Sequence, residues 1–238
     1  ETLAAANDDL MSLNGVSAPD TSNLRDVQKW VYETVSTPSA AHGLATALVD
    51  CLAQQAGVRF AHFLSNRSRE DVPISHLFTN NSDLLHAVML GSQTIKIKAG
   101  MIPISEEIDR VRAIRQVAGP DVTFRLDANG AWTEDEAREI IDTLGPLGVT
   151  CIEDPIPSDN LAAMTRLRGR GVAIAADEGV STPAALQQII AHKSADVVVI
   201  KPMRLGTPMS ALAMIGMADE AGMASFVTTT IDTAVGRM

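Results

Sequence analysis

The chain has 238 residues, enough for one large domain or two small ones. Hydrophobic residues at 46% and charged residues at 20% permit a sizeable buried core and exclude wholesale disorder. A balance of 19 basic against 29 acidic residues, net −10 with no basic run, argues against nucleic acid or anionic membrane as a partner.

Taken in chain order, the first 70 residues read as helical. Glu1–Leu13 has helical composition, and the loop Asn14–Asp20 carries the breakers Gly15 and Pro19. Asn23–Ser36 sets Leu24, Val27, Trp30, Val31 and Val35 close to a helical period. Pro38 opens a third helix through Gln55, with Leu44, Ala47, Leu48, Cys51 and Leu52 as the expected apolar stripe and Gly57 as the stop. No apolar stretch approaches the roughly 18 residues of a membrane span, and the first residues do not read as a secretory leader. Cys51 and Cys151 are expected as small buried residues rather than a disulfide, which fits a reducing cytoplasm. The five histidines form no ligand spacing.

From about Val72 the pattern changes. Short β-rich runs at Val72–Phe78, Thr94–Lys98, Val122–Leu126, Thr150–Ile152, Val172–Ala176, Val197–Ile200 and Ser225–Thr229 alternate with helical stretches. Each gap, roughly 15–25 residues, is long enough for one crossover helix. Thr133 and Glu136 form a capping box, and Thr182-Pro183 and Thr207-Pro208 place a capping hydroxyl before a first-turn proline. Apolar strands of this kind predict a parallel sheet covered on both faces.

Five runs end in an ionisable residue: Lys98, Asp127, Glu153, Asp177 and Lys201. A closed parallel barrel gathers strand C-termini around one axis, whereas an open sheet spreads them out. The ring makes them one site, and the fold class expected is an α/β, TIM-like (β/α) barrel. Three converging carboxylates need a compensating cation. Oxygen-only ligation by Asp127, Glu153 and Asp177 suits Mg²⁺ first and Mn²⁺ second. Lys96 and Lys98 lie at i and i+2 on one strand face, and Lys201 ends a very apolar run. A nearby cation and partial desolvation would lower a lysine pKa and make an amine available as a base. Together these parts predict abstraction of a proton alpha to a carboxylate, with a metal holding the enediolate.

The runs Thr94-Ile95-Lys96-Ile97-Lys98, Asp127-Ala128-Asn129-Gly130-Ala131-Trp132, Glu153-Asp154-Pro155, Asp177-Glu178 and Ile200-Lys201-Pro202 resemble the enolase superfamily, and within it the muconate-lactonising subgroup. The resemblance covers about residues 39–238. It implies a (β/α)7β-type barrel over 71–238, incomplete at its C-terminal end, behind the truncated helical part of an α+β capping domain over 1–70. It makes Asp127, Glu153 and Asp177 the metal ligands, Lys98 the base on one substrate face and Lys201 the lysine on the other. Lys96 becomes the electrostatic partner of Lys98, and Asn129 a supporting residue. Strand alternation is expected to point Asp154 and Glu178 away.

The run Val227–Arg237 is most similar to the o-succinylbenzoate synthases of menaquinone biosynthesis. That similarity implies a Mg²⁺-dependent dehydratase with Thr229 and Thr230 near the substrate's succinyl end. N-acylamino acid racemase, dipeptide epimerase and muconate cycloisomerase are the alternatives within the superfamily. A non-catalytic anion-binding barrel is the alternative outside it. The expected partner is a small-molecule carboxylate, and a homo-oligomer is allowed. Both ends read as cut, since the family's β-meander and mobile loop are expected before Glu1 and an eighth strand after Met238.

Overall fold

The structure is a computed structural model and describes residues 1–20 and 23–230. The chain begins with four helices, α1 (Leu3–Met11), α2 (Leu24–Thr34), α3 (Pro38–Gln55) and α4 (Phe60–Leu64). Strands and helices then alternate: β1 (Ser75–Leu77), α5 (Asn81–Met89), β2 (Thr94–Lys98), α6 (Ile104–Ala118), β3 (Thr123–Asp127) and α7 (Glu134–Leu144). The series continues with β4 (Val149–Glu153), α8 (Leu161–Leu167), β5 (Ala173–Ala176), α9 (Pro183–His192) and β6 (Val197–Ile200). It closes with α10 (Pro202–Leu205), α11 (Pro208–Glu220) and β7 (Ala224–Val227). Among the described residues no helix is long and apolar enough to cross a membrane.

The seven strands form one sheet in the order β1-β2-β3-β4-β5-β6-β7, and β1 through β6 pair in parallel. Unbroken sequential order, with at least one helix after each of the first six strands, belongs to a (β/α) barrel. A doubly wound sheet reverses its order at a switch point. The expected α/β, TIM-barrel-like class holds.

Two compact units make up the chain, one of Val72–Val199 with Ala218–Phe226, the other of Glu1–Asp71 with Ile200–Met217 and the described residues after Phe226. In the first, alternate residues of β2, β3 and β4 turn outward: Ile95, Ile97, Phe124, Leu126 and Ile152 are buried against Ile140, Ile141 and Leu144 of α7 and Leu167 of α8. Each fully buried side chain of this size contributes about 1.5–3 kcal/mol. The capping box forms, with Thr133 accepting from the Glu136 amide and the Glu136 carboxylate accepting from the Thr133 amide. Thr182 caps α9 by accepting from the Ala185 amide at 3.1 Å.

In the second unit, Val27, Val31 and Val35 pack on Ala40, Ala41, Ala45 and Val49. Asp9 accepts from the amides of Ser36 at 3.0 Å and Thr37 at 2.7 Å, closing the turn before α3.

Two expectations are corrected here. The stripe of α3 is Ala41, Ala45, Val49 and Ala53, not Leu44, Ala47, Leu48, Cys51 and Leu52; the three leucines are half-buried, and Ala47 and Cys51 are exposed. His42, Thr46, Asp50 and Gln54 leave one polar stripe, and alanine and leucine fill the rest of the circumference, so the period does not choose between the leucine and the alanine side. The face with small side chains takes the close contact, because it lets backbones approach. The run Val72–Phe78 pairs only over Ser75–Leu77, because Pro73 has no amide to give a ladder and Val72 and Ile74 stay exposed.

Candidate active site

The pleat and the register determine which side chains meet. On β2, Ile95 and Ile97 are buried in the core, so Lys96 and Lys98 take the other face. Lys98 stands opposite Asp127 of β3, Asp127 opposite Glu153 of β4, and Glu153 opposite Ala175 of β5. Asp177 comes two residues after Ala175 and keeps its face. Four adjacent strands therefore bring two amines and three carboxylates to one place.

One oxygen from each of Asp127, Glu153 and Asp177 lies within 4.8 Å of the others, and all three residues are buried. The Lys96 ammonium donates to Glu153 Oε2 at 2.5 Å and lies 2.8 Å from Asp127 Oδ2. The Lys98 ammonium donates to Asp127 Oδ2 at 2.7 Å and to Asn129 Oδ1 at 2.8 Å. Lys96 is 19% exposed and Lys98 49%, so Lys98 is the amine that an incoming molecule can reach. Asn129 adopts φ 47°, a left-handed conformation that asparagine tolerates better than most residues. Gly130 follows at φ 75°, where a Cβ would stand 3.2 Å from the Pro157 Cα, so the turn requires glycine.

Burial alone would lower the pKa of Lys96, but Glu153 and Asp127 outweigh it and hold the amine above its usual value. Lys96 is thus held as a positive charge by the two carboxylates. Burial pushes Asp127 up, yet its bonds to Lys96 and Lys98 prevail and keep it below the usual carboxylate range. Glu153 goes the other way: burial raises it, Lys96 offsets only part, and Asp127 and Asp177 add repulsion.

The donor set fits a divalent cation. Asp127 Oδ1 and Glu153 Oε1 are buried with no hydrogen-bond partner, and oxygens of this kind gain from a hard ion. Among the described residues, Asp127, Glu153 and Asp177 are the acidic, histidine or cysteine residues close enough to share one.

The remaining candidates fall elsewhere in the chain. Lys201 directly follows β6, half-buried, as the residue before α10. Thr229, exposed, and Thr230, half-buried, follow β7. Of the run Val227–Arg237, residues 231–237 lie outside the described residues.

Two residues escaped the sequence reading. Asp154 does not point away: it is 1% exposed, and its carboxylate accepts from the amides of Asp177 and Glu178. Arg125 shares the Asp127 face, sits over the Phe226 ring at 3.6 Å and brings Nε to 3.9 Å from Glu153 Oε1. Its i−2 spacing from Asp127 was the available signal. Cys151 is buried among Ala175, Val197 and Val199, and burial pushes its thiol up to about 12, so it behaves as an inert filler. Both cysteines are free.

Known proteins resemble this chain in sequence and fold. Residues 83–237, more than half of the 238, match the family described as Enolase C-terminal domain-like. Muconate cycloisomerase 1 of Acinetobacter baylyi is 30% identical over 201 residues, 81% of this chain and 54% of that protein. L-Ala-D/L-Glu epimerase of Bacillus subtilis is 31% identical over 222 residues, 90% of this chain and 60% of that protein. The chain thus spans a little over half the length of these curated relatives. A substrate-liganded structure of the Bacillus subtilis epimerase matches with TM-score 0.89 and 26% identity, over 99% of this chain and 69% of that one. Muconate cycloisomerase from Pseudomonas fluorescens matches with TM-score 0.83 at 24% identity, over 97% of this chain and 68% of that one, a likeness of fold.

Proposed function

The chain belongs to the enolase superfamily through its Enolase C-terminal domain-like region, and from that premise we propose that it carries the catalytic part of a Mg²⁺-dependent enzyme abstracting a proton alpha to a carboxylate. Residues 71–238 are read as the barrel portion and 1–70 as part of a cap. The observation that carries the reading is the Lys98 amine, bonded to Asp127 and Asn129 and half-exposed beside three clustered carboxylates.

Asp127, Glu153 and Asp177 would hold the cation. When bound, it supplies positive charge against the negative charge that develops on the substrate carboxylate as the proton leaves. Lys98 acts as the base. Asn129 directs its Nζ, and loss of the ammonium proton to bulk solvent frees the amine to take the substrate proton. Lys96, held charged by Glu153 and Asp127, gives a fixed favourable field. Lys201 is assigned to the opposite face of the substrate as a second ammonium, a role supported by its place in the Ile200-Lys201-Pro202 motif.

For the overall reaction we favour dehydration of 2-succinyl-6-hydroxy-2,4-cyclohexadiene-1-carboxylate to o-succinylbenzoate. Lys98 takes the ring proton and returns it to the departing hydroxide as water, while the ring becomes aromatic. The support is the Val227–Arg237 run, whose Thr229 and Thr230 hydroxyls would contact the substrate's succinyl end. A second reading, 1,1-proton transfer on an N-acylated amino acid or dipeptide, is favoured by the similarity to the Bacillus subtilis epimerase over 90% of this chain.

The two are separated by incubation in deuterated water with Mg²⁺ and each substrate class. Aromatic product and released water support the dehydratase. Deuterium at an alpha carbon without water loss supports the epimerase. Neither event with any carboxylate tested, while Mg²⁺ binds, defeats the proton-abstraction reading.

A further inference from the structure

Three strand ends must be held in common alignment if Asp127, Glu153 and Asp177 are to serve one ion, and parallel strands carry no such guarantee at their frayed tips. Asp154, one residue past the end of β4, reaches all three. Its backbone carbonyl accepts from the Gly130 amide at 2.7 Å, in the loop after β3. Its own amide donates to the Ala175 carbonyl of β5 at 2.9 Å. One carboxylate oxygen accepts from the Asp177 amide at 3.0 Å and the other from the Glu178 amide at 2.8 Å. The side chain is 1% exposed, and the backbone sits at φ 35°, a left-handed conformation kept only where the surroundings enforce it.

We propose that Asp154 is the positioning residue of the metal site, a brace that ties the ends of β3, β4 and β5 together and fixes the backbone of Asp177. This rests on the metal reading above. Both carboxylate oxygens are taken up by the two amides, so Asp154 is not a ligand itself. It acts by orienting one. A serine or asparagine there retains one acceptor, but neither can receive both amides as a carboxylate does, since the asparagine NH₂ would face an N–H donor.

The test is Mn²⁺ binding by the chain alone, followed by electron paramagnetic resonance, with Mg²⁺ calorimetry beside it. The probes compare the unaltered chain, Asp154→Asn and the control Thr182→Ala, which removes the side-chain cap of α9 and leaves every hydrogen bond of Asp154 in place. Removing a partner that orients a ligand lowers metal affinity by roughly 10–100-fold. We expect that loss in Asp154→Asn, with Thr182→Ala keeping its affinity even where its melting temperature drops as far. Asp154→Ser gives the same reading should the amide variant fail to fold. Binding in Asp154→Asn or Asp154→Ser within twofold of the unaltered chain overturns the brace and leaves the metal site standing. An equal loss in Thr182→Ala also overturns it, since the effect would then be general. Absence of Mn²⁺ binding by the unaltered chain overturns the metal reading and the brace with it.

Discussion

Replacing Lys96 by methionine separates the two jobs of the carboxylate cluster, holding the fold and holding a cation. Lys96 contacts Glu153 at 2.5 Å and Asp127 at 2.8 Å, and its side chain is 19% exposed. Removing one partner of a buried ion pair costs about 3–5 kcal/mol, and the partial exposure puts this one near the lower end, about 3 kcal/mol. In a domain of this size each kcal/mol moves the melting temperature by roughly 2–4 °C, so a drop of about 6–12 °C is expected without divalent ions. Mg²⁺ at a hundred times its dissociation constant stabilises the unaltered chain by about 2.7 kcal/mol. The variant leaves Glu153 without its ammonium partner and Asp127 with Lys98 alone, so the same Mg²⁺ concentration should raise its melting temperature by more than that of the unaltered chain. The deficit should also shrink on acidification. Burial already raises Glu153, and a carboxyl whose folded pKa lies above its unfolded value gains stability as pH falls through that pKa. Melting curves by circular dichroism at pH 8 and pH 5, with and without Mg²⁺, read all three effects. A metal-free melting point within 2 °C of the unaltered chain, or a smaller Mg²⁺ shift in the variant, would refute the reasoning.

Three further outcomes follow from the same contacts. Lys98→Ala should abolish proton exchange at the substrate's alpha carbon while Mg²⁺ still binds by calorimetry; persistent exchange moves the base elsewhere. In the native chain a thiol reagent should label Cys51, which is exposed, and spare Cys151, whose buried thiol is pushed up to about 12; mass spectrometry of the labelled peptides decides. Asp9 is held below the usual carboxylate range, first by the Thr37 hydroxyl and then by the Thr37 amide. Its contribution is therefore present above the ordinary carboxylate pKa and lost as pH falls through its own lowered value. Asp9→Asn should flatten the acid side of the stability curve, and an unchanged acid slope would show that the turn does not depend on its charge.

The strands were legible because their apolar runs are short and bounded by breakers: Thr94–Lys98 and Val197–Ile200 coincide with the observed β2 and β6 residue for residue. The carboxylate cluster was legible for a related reason. Asp127 and Glu153 close their strands and Asp177 follows its own, and parallel neighbours in sequential order put those tips side by side. Asp154 was not legible, since the alternation rule that should turn it outward holds only inside a strand, and its φ of 35° shows the strand has ended. The buried face of α3 was hidden too, because outside its one polar stripe the leucine and alanine sides are both apolar and the periodicity does not choose between them. Lys96 could be placed by its i, i+2 spacing from Lys98, but its ion pairing emerged only from the 2.5 Å contact to Glu153.

On β3, Phe124 and Leu126 are sealed in the interior between sheet and helices while Arg125 and Asp127 take the opposite surface, so one five-residue segment serves two masters by turns. Sliding that segment by a single position would expel two large side chains and swallow two charges at once. A misaligned molecule would thus lose its packing and its carboxylate cluster together, so protection of Phe124 and Leu126 from solvent doubles as a report that the cluster has assembled.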